Sequence, residues 1–181
     1  DSYGTLLNQT TYGVSLNKTI VGVDGDGKAI YEVAKVGGYT TTATIDEYGT
    51  VTATETKGYS QKKVDENGVI KDFRTGTYTT TSVNNAYGVL KTQTTDGKSF
   101  NKVRIAGVYT TREVGEYATT STVDIWGTVT DTRTVGSSVK YIKNEAGEAE
   151  KISSGAYTTE SHNDSYGTLL NQTTYGVSLN K

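Results

Sequence analysis

Thr and other β-branched residues alternate with apolar or charged residues along much of this chain. The segments TVTATET (50–56) and TVTDTRT (128–134) show the pattern most clearly, with Thr at every second position. A period of two places alternate side chains on opposite faces of a strand, where Val, Thr and Tyr are favoured. No segment has a helical period long enough to matter, so the pattern predicts an all-β fold. Strands are predicted over 39–45, 50–56, 69–75, 78–83, 89–95, 128–134 and 138–143.

Glycines punctuate these segments at regular intervals. An aromatic residue followed by glycine recurs every 39 to 45 residues, at Tyr3-Gly4, Tyr48-Gly49, Tyr87-Gly88, Trp126-Gly127 and Tyr166-Gly167. Three further sets repeat between these pairs: Gly13, Gly58, Gly97, Gly136 and Gly176; Gly27, Gly68, Gly107 and Gly147; and Gly37, Gly76, Gly115 and Gly155. Asp or Asn often precedes the glycine, which is the chemistry of tight turns. With one turn per glycine, each interval of about 40 residues contains four strands of about 6–8 residues.

A longer period lies above this one, because residues 164–181 are identical to residues 1–18. We interpret residues 1–163 as one repeat unit, with subrepeats at about 1–45, 46–84, 85–123 and 124–163. Residues 164–181 are then the start of the next unit. This organisation favours a piece of a tandem array of nearly identical units over a duplicated end.

The predicted fold is a repetitive antiparallel meander or β-solenoid built from four subrepeats of about 40 residues with four strands each. A four-bladed propeller has the same strand count, but it needs a dense apolar core, and the chain has only 35 Val, Ile, Leu and Phe residues. In an elongated array, ladders of like residues contribute to stability. We therefore expect Tyr39, Tyr78, Tyr117 and Tyr157 to form one ladder in a shared environment, and the aromatics before glycine to form another.

Composition narrows the function classes. The chain has no Cys and one His, which excludes disulfides, thiolate metal sites and Cys nucleophiles and leaves little for a zinc site. A net charge of −2 with scattered Lys and Arg argues against a nucleic-acid partner. The absence of Pro suits uninterrupted strand pairing. Since no apolar stretch approaches about 18 residues and no charged-then-apolar leader opens the chain, we expect neither a membrane span nor a targeting segment.

Candidate chemical sites are few, and each has a simpler explanation. Asp24-Gly-Asp-Gly27 resembles the start of a calcium loop, but a hairpin turn explains it fully. His162, Asp164 and Ser165 could be grouped as a triad, yet His162 stands where the sister repeats carry Ile45, Val83 and Val123. We therefore predict a protein that is not an enzyme, and we assign no catalytic, cofactor-binding or metal-binding residue and no cofactor.

Repeated Thr and Tyr side chains suggest two binding roles. Two rows of Thr would place hydroxyls about 6.8 Å apart on one strand face, and this spacing suggests ice binding. The rows are Thr50, Thr52, Thr54, Thr56 and Thr128, Thr130, Thr132, Thr134. Thr is also a good strand former on any solvated face. Exposed Tyr at fixed spacing could stack on sugar rings, although a structural ladder is the simpler interpretation. Sequons for N-glycosylation begin at Asn8, Asn17, Asn163 and Asn171.

The segment GTYTTTSVNNAYGVLKTQTTDGKSF (76–100) resembles the tyrosine- and aspartate-bearing Rhs/YD repeats of bacterial surface and toxin-shell proteins. Here Tyr stands directly before Gly, whereas those repeats carry Tyr-Asp ahead of the turn. The repetitive strand-turn-strand style without Pro is also similar to functional amyloids and prokaryotic sheath proteins. Both resemblances imply a structural role in a secreted or surface-exposed protein.

These observations predict a non-enzymatic extracellular structural protein, secreted or at the cell surface, that acts as a self-associating unit of a β-rich fibre, sheath or stalk. Its partner would be itself, through head-to-tail or edge-strand association. The alternative is an adhesin-type binding module that displays Tyr and Thr to a glycan or another surface. A shell segment of an Rhs-type protein is a third hypothesis.

Overall fold

In the part of the chain that the computed structural model describes, nine antiparallel strands follow one another in chain order across a single open sheet. The structure describes residues 4–66, 68–105, 107–145 and 147–179. Tyr3, with the other end residues of the two identical segments (1, 2, 180 and 181), lies outside the described residues. The strands are β1 (Asn8–Val23), β2 (Ala29–Ile45), β3 (Val51–Glu66), β4 (Val69–Asn84), β5 (Leu90–Ile105), β6 (Val108–Val123), β7 (Val129–Lys143), β8 (Ala149–Asn163) and β9 (Leu169–Ser178).

The predicted all-β fold is confirmed, and of the two predicted architectures, antiparallel meander and β-solenoid, the structure has the meander. The prediction of four short strands in each interval of about 40 residues is wrong. Each such interval contains two strands, and β1 to β8 are 15–17 residues long. Two of the four glycine sets that we interpreted as turns, represented by Gly58 and Gly76, lie inside strands. The other two sets do form turns, and their described members have positive φ angles, such as 84° at Gly49 and 81° at Gly68.

One row of residues across the whole sheet explains why glycine is found inside these strands. In this row glycine and tyrosine alternate on neighbouring strands, so each Tyr faces a Gly on both sides. The row runs Gly13, Tyr39, Gly58, Tyr78, Gly97, Tyr117, Gly136, Tyr157, Gly176. The expected stack of Tyr on Tyr is therefore wrong. Tyr78 and Tyr117 are half-buried, whereas Tyr39 and Tyr157, one strand from each edge, are each 39% exposed.

Three more rows on the same face are in equally strict register, because residues directly opposite each other in a sheet share a face. None of the four rows contains a charged residue, and together we call them the uncharged face. On one side of the Gly–Tyr row, serine and glycine alternate: Ser15, Gly37, Ser60, Gly76, Ser99, Gly115, Ser138, Gly155, Ser178. On the other side every strand contributes a threonine: Thr11, Thr41, Thr56, Thr80, Thr95, Thr119, Thr134, Thr159, Thr174. The fourth row is Gln9, Ala43, Thr54, Ser82, Gln93, Ser121, Thr132, Ser161, Gln172.

The sheet is continuous over only about half of each strand. The β2–β3 ladder runs from the Ile45–Val51 pair to the Gly37–Ser60 pair, whereas the β1–β2 ladder continues to Val23–Ala29. The same holds for the later strands, and a register shift follows Ser15, Ser60, Ser99 and Ser138. Beyond the serine row the strands therefore continue as four two-stranded arms, β1–β2, β3–β4, β5–β6 and β7–β8. Bulges bend and twist strands, and these bulges lie where the arms separate.

Most of the longer turns share one local chemistry. In the turn between β2 and β3, the Asp46 carboxylate accepts hydrogen bonds from the backbone N–H of Tyr48 (3.0 Å) and Thr50 (2.8 Å). Gly49 then takes the left-handed conformation, for which glycine carries no steric cost. The Asp or Asn, the two intervening residues and the Gly thus form a complete turn from local residues alone.

The sheet has little apolar core. The buried apolar side chains among the described residues are Ala34, Ala43, Ile45 and Phe73. Because one layer leaves both faces in contact with water, cross-strand pairs and backbone ladders must supply much of the stability. Within the described part of the chain, no helix is long and apolar enough to cross a membrane.

Candidate functional site: open edges, an aromatic row and an uncharged face

The first and last strands leave two open edges. From Asn8 to Asn17 the first strand carries no charged residue, and neither does β9 from Leu169 to Ser178. Tyr12 on β1 is 78% exposed, and its repeat counterpart on β9, Tyr175, is 61% exposed. Natural sheets usually protect such edges with Pro, charges or bulges, because an unpaired strand can pair with another chain. From Asn8 to Asn17 and from Leu169 to Ser178, these edges therefore lack charged or Pro protection.

The aromatic–glycine turns lie together at one end of the sheet. They join β2 to β3, β4 to β5, β6 to β7 and β8 to β9, so successive turns are two strands, about 9.6 Å, apart. Their aromatic side chains are almost fully exposed: Tyr48 84%, Tyr87 88%, Trp126 80% and Tyr166 91%. We call these four residues the aromatic row. The expected second aromatic ladder is thus a row of turn tips rather than a stack of strand residues.

The hydroxyls of the threonine row bond to one another. The Oγ1–Oγ1 distance is 2.8 Å for Thr41–Thr56, 2.9 Å for Thr80–Thr95, 2.8 Å for Thr119–Thr134 and 3.0 Å for Thr159–Thr174. The hydroxyls of this row therefore bond in pairs, each pair joining two neighbouring strands.

The Thr rows that we predicted along single strands are interrupted. Thr52 is the extra residue of a bulge, and its hydroxyl donates to the Thr44 carbonyl at 3.3 Å. Thr130 occupies the same place on β7 and donates to the Thr122 carbonyl at 3.5 Å. The hydroxyl array that the ice-binding hypothesis needs along each strand is therefore not formed.

The opposite face of the continuous sheet carries charged residues. Lys98 Nζ lies 2.8 Å from Glu113 Oε2, and this hydrogen bond raises the pKa of Lys98 and lowers the pKa of Glu113. A shallow groove of about 620 Å³ crosses the middle of the sheet, and Thr77, Glu116 and Val135 are among the residues that line it.

The residues considered for catalysis and calcium binding have structural partners. His162 Nδ1 lies 2.7 Å from Asp131 Oδ1, the residue opposite it on β7, and this hydrogen bond lowers the pKa of Asp131. The Asp164 carboxylate accepts instead from the backbone N–H of Tyr166 and Thr168, so the residues of the suggested triad are not brought together.

At the suggested calcium site, the Asp24 carboxylate accepts from the backbone N–H of Asp26 at 3.0 Å and Lys28 at 2.8 Å, which is the arrangement of a hairpin turn. Among the four sequons, Asn163 uses its amide to donate to the Val129 carbonyl at 2.9 Å. The other three, Asn8, Asn17 and Asn171, are exposed.

Sequence reasoning missed the one-sided placement of the aromatic row. The signal was present, because aromatic–glycine turns alternate along the chain with turns that lack an aromatic, such as Asp24-Gly-Asp-Gly27. With two strands in each interval, alternate turns of a meander lie at the same end of the sheet. Counting four strands per interval concealed this relation.

Comparison with protein-family models, with curated proteins and with solved structures finds no match for this chain.

Proposed function

We propose that this chain is a non-enzymatic extracellular structural protein that extends a single-layer β-sheet by adding further copies at its edges. The observation that carries the proposal is that one strand sequence has two different partners. In β1 the repeated segment pairs with β2, where Gly13 faces Tyr39. In β9 the same segment pairs with β8, where Gly176 faces Tyr157. A strand of this sequence therefore has one edge suited to β8 and the other suited to β2.

A strand that pairs with both β8 and β2 joins the end of one unit to the start of the next. The repeat then contains eight strands in 163 residues, which corresponds to about 38 Å along the sheet at the usual strand spacing. Because each unit contacts only its neighbours, the number of units is not limited by closure. The join is covalent where units follow in one chain, or is made by strand addition between separate molecules.

The arms provide a second set of contacts between units. Successive arms are linked by side chains: Gln61 Nε2 donates to the Lys35 carbonyl at 3.0 Å, and Tyr141 donates to the Glu113 carbonyl at 3.3 Å. Among the residues that the structure describes, no arm precedes the first one. On the face of this arm that carries the Ile20–Tyr31 pair, the apolar side chains are exposed: Leu16, Ile20, Tyr31 and Val33 are 58–63% exposed. The β7–β8 arm of a preceding unit would cover this surface.

The sharpest test removes residues 164–181 and supplies them separately. Deletion exposes the edge of β8, and the β1 strand of another copy should occupy it. We expect the shortened chain to form head-to-tail oligomers in sedimentation velocity experiments, and filaments in electron micrographs at neutral pH. A synthetic peptide with the sequence of residues 164–181 should cap β8 and dissociate these oligomers. A peptide of the same composition in scrambled order is the control.

The full chain allows a matched test by substitution. Val14→Lys places a charge on the β1 edge, whereas Val135→Lys places one on an interior strand at a site that is 43% exposed. We expect the edge variant to associate less at high concentration and the interior variant to behave as the parent chain. If the parent and shortened chains are both stable monomers at all concentrations, and the peptide has no effect, self-association is the wrong function.

A further inference from the structure

The aromatic row has no structural function that the turns require. The turn between β1 and β2 has the same backbone and carboxylate hydrogen bonds as the turn between β2 and β3, with Asp26 in the place of Tyr48. Asp26 lies at the opposite end of the sheet. An exposed Tyr or Trp contributes little to folding, since it stabilises chiefly through the area it buries. Four such residues at one end of the sheet therefore indicate a ligand-binding surface.

The turns that carry these aromatics pack against each other. A Cβ on Gly88 would lie 3.4 Å from Thr50 Cγ2, and one on Gly167 would lie 3.5 Å from Thr128 Cγ2. A Cβ on Gly127 would lie still closer to its neighbour, 2.9 Å from Val89 Cγ1. Consecutive turns therefore lie side by side. The aromatic side chains therefore project from a connected support, with about 9.6 Å between successive turns.

The charges at this end exclude some ligands. The turn segments 46–50, 85–89, 124–128 and 164–168 contain no Lys or Arg, but they contain Asp46, Glu47, Asp124 and Asp164. An anionic polymer or an anionic membrane would be repelled. Besides the four aromatics, the turn segments expose one large apolar side chain, Ile125, which is 82% exposed. Successive aromatics are about 9.6 Å apart, so they form a row of separate rings rather than the broad apolar patch that binds a protein surface.

We propose that the aromatic row binds an extended neutral polysaccharide. Tyr and Trp offer rigid rings with little conformational entropy to lose, and the apolar face of a pyranose ring packs on such a surface. A linear sugar chain lying along the turn tips contacts several aromatics at once, so weak single contacts add through multivalency. This site goes beyond sheet extension, and it would repeat with each unit of an extended sheet.

Trp126 makes the site directly observable, because it is the only Trp in the chain. We would titrate the full chain with cellohexaose and with chitohexaose and record Trp emission. At least one hexasaccharide should give a saturable blue shift, and the matching disaccharide should bind at least tenfold more weakly because it reaches fewer aromatics. Tyr87→Ala and Tyr166→Ala together should weaken hexasaccharide binding by about tenfold or more.

Matched controls separate this site from other surfaces. Tyr109→Ala removes a 65% exposed Tyr outside the aromatic row and should leave hexasaccharide affinity unchanged, as should Asp26→Tyr at the opposite end. Sedimentation of the same samples reports sheet extension separately, so loss of one property does not depend on the other. The inference is overturned if neither hexasaccharide shifts Trp126 emission, or if the Tyr87→Ala, Tyr166→Ala variant binds with unchanged affinity. A shift with neutral phosphatidylcholine vesicles but with neither sugar would identify a membrane surface instead and would equally overturn it.

Discussion

The ring of Tyr78 lies over the backbone of Gly58 on the neighbouring strand. A Cβ added to Gly58 would overlap the ring atoms of Tyr78. The same relation holds for Tyr39 and Gly13, and it recurs along the row at Gly97 and Gly136. A glycine inside a strand is normally unfavourable because it has no side chain to pack. Here the ring of the facing tyrosine packs on the backbone of each of these glycines. These Gly–Tyr pairs provide packing contacts in a sheet that has little apolar core.

We therefore predict that Gly58→Ala destabilises the chain by about 1–3 kcal/mol, because the Tyr78 ring must leave its position. Tyr78→Ala should also destabilise, since it uncovers the glycine. The double variant should be less destabilised than the sum of the two, with a coupling of about 1 kcal/mol. Urea denaturation of the four proteins measures this cycle. Gly22→Ala is the control, because a Cβ there meets nothing within 4 Å, and we expect a change within about 0.5 kcal/mol. Additive effects at Gly58 and Tyr78 would contradict the pairing.

The turn glycines should respond differently from the strand glycines. Gly49 has a φ of 84°, and a Cβ there would meet nothing within 4 Å, so Gly49→Ala should cost about 1–2 kcal/mol from backbone strain alone. Gly127→Ala should cost more, because its Cβ would also lie 2.9 Å from Val89 Cγ1. Thermal unfolding compares these variants with Thr81→Val, an exposed mid-strand change for which we expect little effect. Equal costs at Gly49 and Thr81 would contradict the assigned turn conformation.

Asp124 should be replaceable by Asn but not by Ala. Its carboxylate accepts from the N–H of Trp126 at 2.8 Å and Thr128 at 2.9 Å. In Asp124→Ala the backbone N–H groups of Trp126 and Thr128 lose this acceptor and can bond only to water. We expect the free energy of unfolding to fall by about 1 kcal/mol. Asp124→Asn should be nearly neutral, because Asn85 makes the same two bonds in the turn between β4 and β5. If the Asn and Ala variants unfold at the same denaturant concentration, the carboxylate bonds do not stabilise the turn.

The contacts between arms should weaken in acid. Glu66 lies 2.7 Å from Lys102 on the next arm and 3.1 Å from Lys71, and its hydrogen bonds to Lys102 and then Lys71 lower its pKa below the ordinary 4.5. A lowered carboxyl pKa stabilises the fold above the unfolded-state value, and this contribution is lost as the pH falls from about 4.5 through the folded-state pKa. Glu66→Gln should therefore show a smaller loss of stability than the parent between about pH 6 and about pH 3, the range in which carboxyl groups titrate.

The pairs are partly exposed, so the difference should be small and should decrease at about 1 M salt, where screening is strong. Denaturant titrations of both proteins at each pH supply the measurement. Identical pH dependence of the two proteins at low salt would show that Glu66 does not link the arms.

Local chemistry in the sequence was enough to predict the strand content and the turns at Gly49 and Gly68. The Asp or Asn before the glycine accepts from backbone N–H groups within four residues, and the left-handed conformation belongs to the glycine itself. The same holds for Asp24-Gly-Asp-Gly27, where the prediction of a hairpin turn is confirmed. None of these features depends on residues that are distant in the chain.

Only the tertiary structure decided which glycines lie inside strands. Gly97 follows Asp96 and so resembles a turn glycine such as Gly68 in the sequence, but Gly97 faces Tyr117, twenty residues away, whereas Gly68 takes a positive φ within its turn. Register also determined the threonine row and the uncharged face, which require the nine described strands to align, and the separation of the arms, which begins where the ladders between neighbouring arms end. The aromatic row lies at one end of the sheet because two strands separate each aromatic turn from the next. Local patterns restrict a segment of this chain to a strand or a turn. Cross-strand register, which joins residues far apart in sequence, determines which of the two a glycine-containing segment adopts.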